Sequence, residues 1–162
     1  MIAMKKWGWL ALILVSFLIW QAWSIYGEAM EPKRSMTEKA LARAREAAGL
    51  VDVKEVYTYY GDEACTVFIG RTEQGETDIV VWVPEKEGDI VVKSADSGIS
   101  EAEARAILQR DRRPQQVIDV TLGMEKGVPL WELTYIDAEG RYSFYYLHFA
   151  DGAFLKRYSF QR

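Results

Sequence analysis

From Trp7 to Tyr26 the chain runs for twenty residues without a charge, and beyond the aromatic tips its only polar side chains are Ser16, Gln21 and Ser24. Coiled as a helix, such a stretch reaches roughly 30 Å, the thickness of a bilayer core. Leu10, Leu12, Ile13, Leu14, Val15, Phe17, Leu18, Ile19 and Ile25 each favour insertion by about 0.3–0.6 kcal/mol when central. Trp7, Trp9, Trp20, Trp23 and Tyr26 gather toward the two ends, where amphipathic rings suit the membrane–water boundary. The pattern predicts a transmembrane anchor over residues 7–26. Lys5 and Lys6 precede it and Glu28 and Glu31 follow, which favours a short cytoplasmic tail at 1–6 and extracytoplasmic domains beyond. A cleaved signal peptide is the alternative, with Ala22 and Ser24 as small residues near a bond. The apolar run is long for that role, and bulky Trp23 and Ile25 flank the site.

Residues 27–35 hold Pro32 and several charges and read as a juxtamembrane linker. Periodicity then changes. Ser35 and Glu38 have capping-box spacing, Leu41, Ala44 and Ala48 fall on one helical face, and Gly49 marks the stop. Strand patterns follow at Val53–Tyr60, Cys65–Arg71, Asp78–Val83 and Ile90–Lys93, with a Gly-containing hairpin loop at Thr72–Glu76. The sequence then restarts. Ser100 and Glu103 form a second capping box before Ala104, Ile107 and Leu108, and Pro114 lies past the helix end. Val117–Leu122 alternates, placing Ile118, Val120 and Leu122 on one side. Leu130–Ile136 does the same with Trp131, Leu133 and Tyr135. After the turn Asp137–Gly140 come Tyr142–Phe149 and Phe154–Tyr158. Gly75 matches Gly140, and Gly88 matches Gly152, at an offset near 64 residues. The expected fold is α+β: the anchor, then two tandem units at 36–98 and 99–162, each a helix on a four-stranded antiparallel sheet. A single α+β domain with chance internal similarity is the plainer alternative.

Charge narrows the possible partners. All 24 acidic residues lie at or beyond Glu28, where 18 of the 20 basic residues also lie, so the part beyond the span carries a net charge of −6. An acidic domain without a basic patch is poorly suited to nucleic acid. Cys65 is the only cysteine, so no internal disulfide forms, and a small buried apolar role suits it. His148 is the only histidine. It and Cys65 fall in different units, each inside a strand pattern, which speaks against a Cys–His catalytic pair. No phosphate loop, dinucleotide fingerprint, nucleophile elbow or metal-ligand spacing is present. Nothing here calls for a catalytic residue, cofactor, metal or small-molecule substrate.

Aromatic residues are the feature in excess. Tyr142, Phe144, Tyr146 and His148 share one face of a strand, and Tyr145, Leu147 and Phe149 share the other. If a helix covers one face, the second is either buried by the neighbouring unit or presented to a protein partner. With Tyr57, Tyr59 and Tyr60 from the first unit, the candidate contact residues are Tyr57, Tyr59, Tyr142, Phe144, Tyr145, Tyr146 and His148.

Val81-Trp82-Val83-Pro84, Ser97-Gly98-Ile99-Ser100-Glu101, Trp131-Glu132-Leu133-Thr134-Tyr135 and Gly140-Arg141-Tyr142-Ser143, in this order and spacing, resemble the TseB (YpmB) family of bacilli. The segment Tyr146-Leu147-His148-Phe149 departs from the family pattern. The resemblance implies two tandem cystatin-like or PepSY-like domains, no catalytic residues, and regulation of cell wall elongation through contact with a membrane-anchored penicillin-binding protein. A PepSY-like inhibitor or modulator of a secreted or membrane protease is the main rival. It would need an entering loop such as Thr72–Glu76 or Asp137–Arg141. An enzyme acting on wall fragments, which needs paired carboxylates in a cleft, and a ligand-binding sensor are further alternatives.

Overall fold

The computed structural model describes residues 15–17, 19–21, 36–73, 75, 77–86 and 88–160. The chain divides into two compact units, 1–38 and 39–162. In the first, residues 15–17 and 19–21 are helical, and the Phe17 and Trp20 rings lie 6.0 Å apart between centroids. The rest of the span predicted over 7–26, including Trp7, Trp9, Trp23 and Tyr26, lies outside the described residues, as do the predicted tail and linker and the cap at Ser35. Among the described residues no helix is long and apolar enough to cross a membrane.

The second unit is helix α1 (described over 36–48), strands β1 (Leu50–Tyr60), β2 (Ala64–Thr72), β3 (Ile79–Pro84) and β4 (Val91–Ser94), then helix α2 (Glu101–Arg112) and strands β5 (Gln116–Glu125), β6 (Val128–Ile136), β7 (Tyr142–His148) and β8 (Phe154–Phe160). Each set of four strands forms its own antiparallel sheet in sequence order. Gly49, in the left-handed region, ends α1 with its N–H on the Arg45 carbonyl. The expected capping box opens α2. Ser100 Oγ accepts from Glu103 N at 3.2 Å, and Glu103 Oε2 accepts from Ser100 N at 2.8 Å. The β6–β7 turn is organised by the nearly buried Asp137 carboxylate, which accepts from the backbone N–H groups of Glu139 and Arg141 and from Arg141 Nε.

Period-two alternation decides which face meets which layer. On the first sheet Leu50, Phe68, Val81 and Val83 pack beneath Ala44 of α1 with Ala40, Leu41 and Ala48, small residues that let the helix approach closely. On the second, α2 covers Trp131, Leu133, Tyr145 and Leu147 with Ala104 and Leu108. Tyr145 Oη donates to Asp111 and the Trp131 indole N–H to the Ile99 carbonyl.

One expectation fails here. Ile118 does not share a buried face with Val120 and Leu122. The β5–β6 register shifts between Val117 and Asp119, adding a residue that turns Ile118 outward and brings Val117 to the core instead. Several strands are also longer than their patterns. β5 runs on to Glu125 and meets β6 through a two-residue turn at Lys126 and Gly127, both with positive φ, the geometry that suits a tight hairpin.

The face of the first sheet away from α1 carries Tyr57, Tyr59, Cys65, Val67, Val80 and Trp82, and it joins a core shared with the second repeat. Tyr59 lies over Gly123 of β5, so close that a Cβ there would sit 2.5 Å from the ring. Its hydroxyl donates to Glu125 Oε1 at 2.7 Å, and Lys156 holds the other carboxylate oxygen. Burial works against the charge of Glu125, yet Lys156 and Tyr59 keep its carboxyl below the ordinary value. Trp82 meets Phe149 edge-on at 5.0 Å, and Phe149 is held by backbone bonds to Ile99 and Pro129. Glu132, paired across strands with Tyr146, shares this junction. Burial raises its carboxyl pKa; the Tyr146 hydroxyl pulls it down, and the nearby Glu125 and Asp119 push it further up.

Gly123→Ala is expected to destabilise the folded chain by about 1–3 kcal/mol, because the new methyl has nowhere to go. Combined with Tyr59→Ala, the loss should be smaller than the sum of the two single losses in denaturant unfolding, since removing the ring vacates the space. A second outcome concerns pH. A carboxyl with a raised folded-state pKa supports folding below its unfolded value and loses that support as pH rises through the folded value. Glu132→Gln should therefore be more stable than the parent near neutral pH, and the advantage should shrink as pH falls and vanish below about pH 3, where the carboxyl is protonated in both folded and unfolded chains. Unfolding midpoints measured across that range check it.

Candidate functional site

The second sheet has one face under α2 and one face divided in two. The β5–β6 half of the latter receives Tyr59 and its neighbours from the first repeat. The β7–β8 half does not. There the alternation places Tyr142, Phe144, Tyr146, Lys156, Tyr158 and Phe160 side by side, through the pairs Tyr142 with Phe160, Phe144 with Tyr158 and Tyr146 with Lys156. The rings contact one another edge-on: Tyr142 and Phe144 at 5.3 Å, Phe144 and Phe160 at 6.1 Å, Tyr146 and Tyr158 at 5.9 Å. The Lys156 ammonium stands 4.5 Å above the Tyr146 ring centroid and 5.3 Å from that of Tyr158. Its other contact is Glu125, so the strip starts at the junction between repeats and runs outward along the hairpin.

The outer members of the strip are open to solvent: Tyr142 is 38% exposed, Tyr158 48% and Phe160 57%. A contiguous row of exposed rings is uncommon on a soluble surface unless something binds it. Tyr and Phe supply large contact area with few torsions to freeze, which suits a protein contact.

The predicted contact residues separate clearly. Tyr142 lies on the open strip and Phe144 is half-buried within it. Tyr146 is in the same row but buried by the junction. Tyr59 and Tyr145 are corrections to the idea of a surface role. Both are 2% exposed, the first used to join the repeats and the second covered by α2, where the Arg112 guanidinium stacks over its ring. Tyr57 is half-buried against the shared core, with its hydroxyl on Glu55, while Tyr60 is exposed on the opposite face of β1. His148 is partly exposed and its Nδ1 pairs with Asp151 Oδ1 at 2.9 Å in the β7–β8 turn. Tyr158 and Phe160 lie on the open strip and are not among the predicted contact residues. Their alternation with Lys156 was the signal that places them beside Tyr142 and Phe144.

The chemistry of the remaining candidates is quiet. Cys65 is buried beside the Met124 backbone, and burial pushes its thiol up to about 11, against the small opposing effect of that hydrogen bond. A thiol so placed stays protonated and is a poor nucleophile. Among the described residues no three His, Cys, Asp or Glu side chains gather as a metal site. What the arrangement can do is bind through a ring-lined strip whose lysine is already paired with Glu125.

Two domain families match the chain. The "Cell wall elongation regulator TseB-like domain" matches residues 39–84, which run from α1 to the end of β3, and the "Peptidase propeptide and YPEB domain" (PepSY) matches 98–158, which hold α2 and most of the second sheet. The chain is 39% identical to a protein of Bacillus subtilis (strain 168) described as "Probable cell wall elongation regulator TseB", over 148 residues that make up 91% of this chain and 88% of the relative. Its fold is similar to that of a solved structure described as "YpmB protein from Bacillus subtilis", with a TM-score of 0.71 and 38% identity over 75% of this chain and 95% of the other. Similarity of this extent, reaching through both repeats and across nearly the whole length of the relative, places the chain in the TseB family.

Proposed function

We propose that this protein is a membrane-tethered, non-catalytic regulator of cell wall elongation that docks onto a membrane-anchored penicillin-binding protein outside the cytoplasm. The observation that carries this reading is the outer part of the aromatic strip of β7 and β8, Tyr142, Tyr158 and Phe160, whose rings are exposed. The description of the Bacillus subtilis relative as a probable elongation regulator supports the pathway. The uncharged run from Trp7 to Tyr26 supports a single-pass anchor in the cell membrane, with Lys5 and Lys6 on the cytoplasmic side. Tethering matters energetically. Two proteins held in one membrane meet at an effective concentration far above their bulk value, so a modest strip suffices for occupancy.

The match of residues 98–158 to the PepSY family favours one rival, a modulator of a secreted or membrane protease. The tight Asp137–Arg141 turn would then be the entering element. Inhibition of a protease by purified residues 36–162, lost on altering that turn, would favour the rival.

The deciding experiment is capture of the tagged full-length protein from gently solubilised native membranes, with an anchor-only chain as control. A penicillin-binding protein should be enriched only when residues 36–162 are present. Tyr142→Glu and Tyr158→Glu should each lower its recovery at least tenfold, about 1.4 kcal/mol, with unfolding midpoints unchanged. Equal recovery with the anchor-only chain, or with both variants, would sink the docking reading.

A further inference from the structure

We infer that the outer edge of β8 accepts an extended, carboxylate-bearing segment of the docked partner as a fifth strand of the second sheet. The inference rests on the docking reading and specifies its mode. β8 is hydrogen-bonded to β7 alone, so its other row of N–H and C=O groups is unpaired among the described residues. Exposed edges of this kind are templates for strand addition, and proteins usually blunt them with short strands, bulges or inward charges. The other edges here are blunted. β4 has only four residues, β1 carries two register shifts, and β5 lies against β1. β8 has seven residues, and its single irregularity lies at its start, opposite Tyr146 and Leu147, leaving Lys156–Phe160 in regular register.

The side chains along this edge define the occupant. Phe154, Leu155, Tyr158 and Phe160 are all exposed. Lys156 is spent on Glu125 and the tyrosine rings. Arg157, at the centre of the strand, is exposed and has no ion-pair or hydrogen-bond partner among the described residues. A second copy of this chain fits badly. Antiparallel pairing of two β8 strands over their full length would set Arg157 opposite itself, and like charges directly opposite destabilise a sheet. A segment with Asp or Glu facing Arg157, and apolar residues facing Tyr158 and Phe160 on the other side of the sheet, gains both a charge pair and ring burial. The part beyond the predicted span carries a net charge of −6, so an acidic segment meets general repulsion and a cation on the edge, Arg157, sets where it can settle. Backbone pairing then supplies affinity, and the alternating pockets supply selectivity.

The test uses the full-length protein in native membranes, with a photo-crosslinking residue at Phe154 on the edge, at Tyr142 on the inner strand, or at Val92 on β4. The expected result is an adduct from Phe154 that maps to an acidic extended segment of a penicillin-binding protein. Arg157→Glu should reduce it at least tenfold and Arg157→Lys should largely retain it. Half of the β8 amides, those not bonded to β7, should become protected from hydrogen exchange in the captured complex. Adducts from Tyr142 but not Phe154, or adducts indifferent to Arg157→Glu, would overturn strand addition and leave docking intact. An adduct from Phe154 to a second copy of this chain would overturn it in favour of self-pairing. Absence of adducts at all three positions would count against both strand addition and docking.

Discussion

The contact of Tyr59 with Gly123 and Glu125 turns two similar repeats into one body. A four-stranded sheet with a helix on one side still has a second face to hide, and neither repeat can hide it alone. The first repeat solves this by laying its bare face, with Tyr59, Val67 and Trp82, into a core shared with the second. Gly123 is what permits the approach, since any side chain there would hold the ring away. The Tyr59 phenol then satisfies a partly buried carboxylate that Lys156 neutralises from the other side. A polar group of the first repeat and a cation of the last strand thus meet on one glutamate, which fixes the relative register of the two sheets.

Much of this was legible in residue patterns. Capping at Ser100, the stop at Gly49, the hairpin at Asp137–Gly140 and the repeat near 64 residues all rest on local rules, and all appear in the fold. Ile118 was misplaced because alternation assumes an unbroken ladder, and a bulge is a property of two strands together. The tyrosines show the same limit. Tyr57, Tyr59, Tyr145 and Tyr142 look alike as sequence, yet burial differs because it depends on which layer arrives from elsewhere in the chain. Alternation identified the two faces of β7 and could not say what covered them. The signal for Tyr158 and Phe160 lies in the alternation of β8 taken together with that of β7 across the hairpin.

Division of the second sheet lets one face serve the junction on one half and stay open on the other. The half of its open face nearest the junction is committed to the first repeat, and the half along β7 and β8 is left with rings and a paired lysine. Side chains on a regular hairpin are held more rigidly than on a loop, so less entropy would be lost if a partner settled on them.

The exposed rings of β8 also set a limit on how the protein is kept. An uncovered apolar edge promotes indiscriminate association as its concentration rises, so an unpartnered pool is a hazard that grows faster than its amount. A cell making this chain gains nothing from excess. Pressure toward a low copy number, or toward swift removal of surplus copies, follows from seven residues at one margin of a sheet.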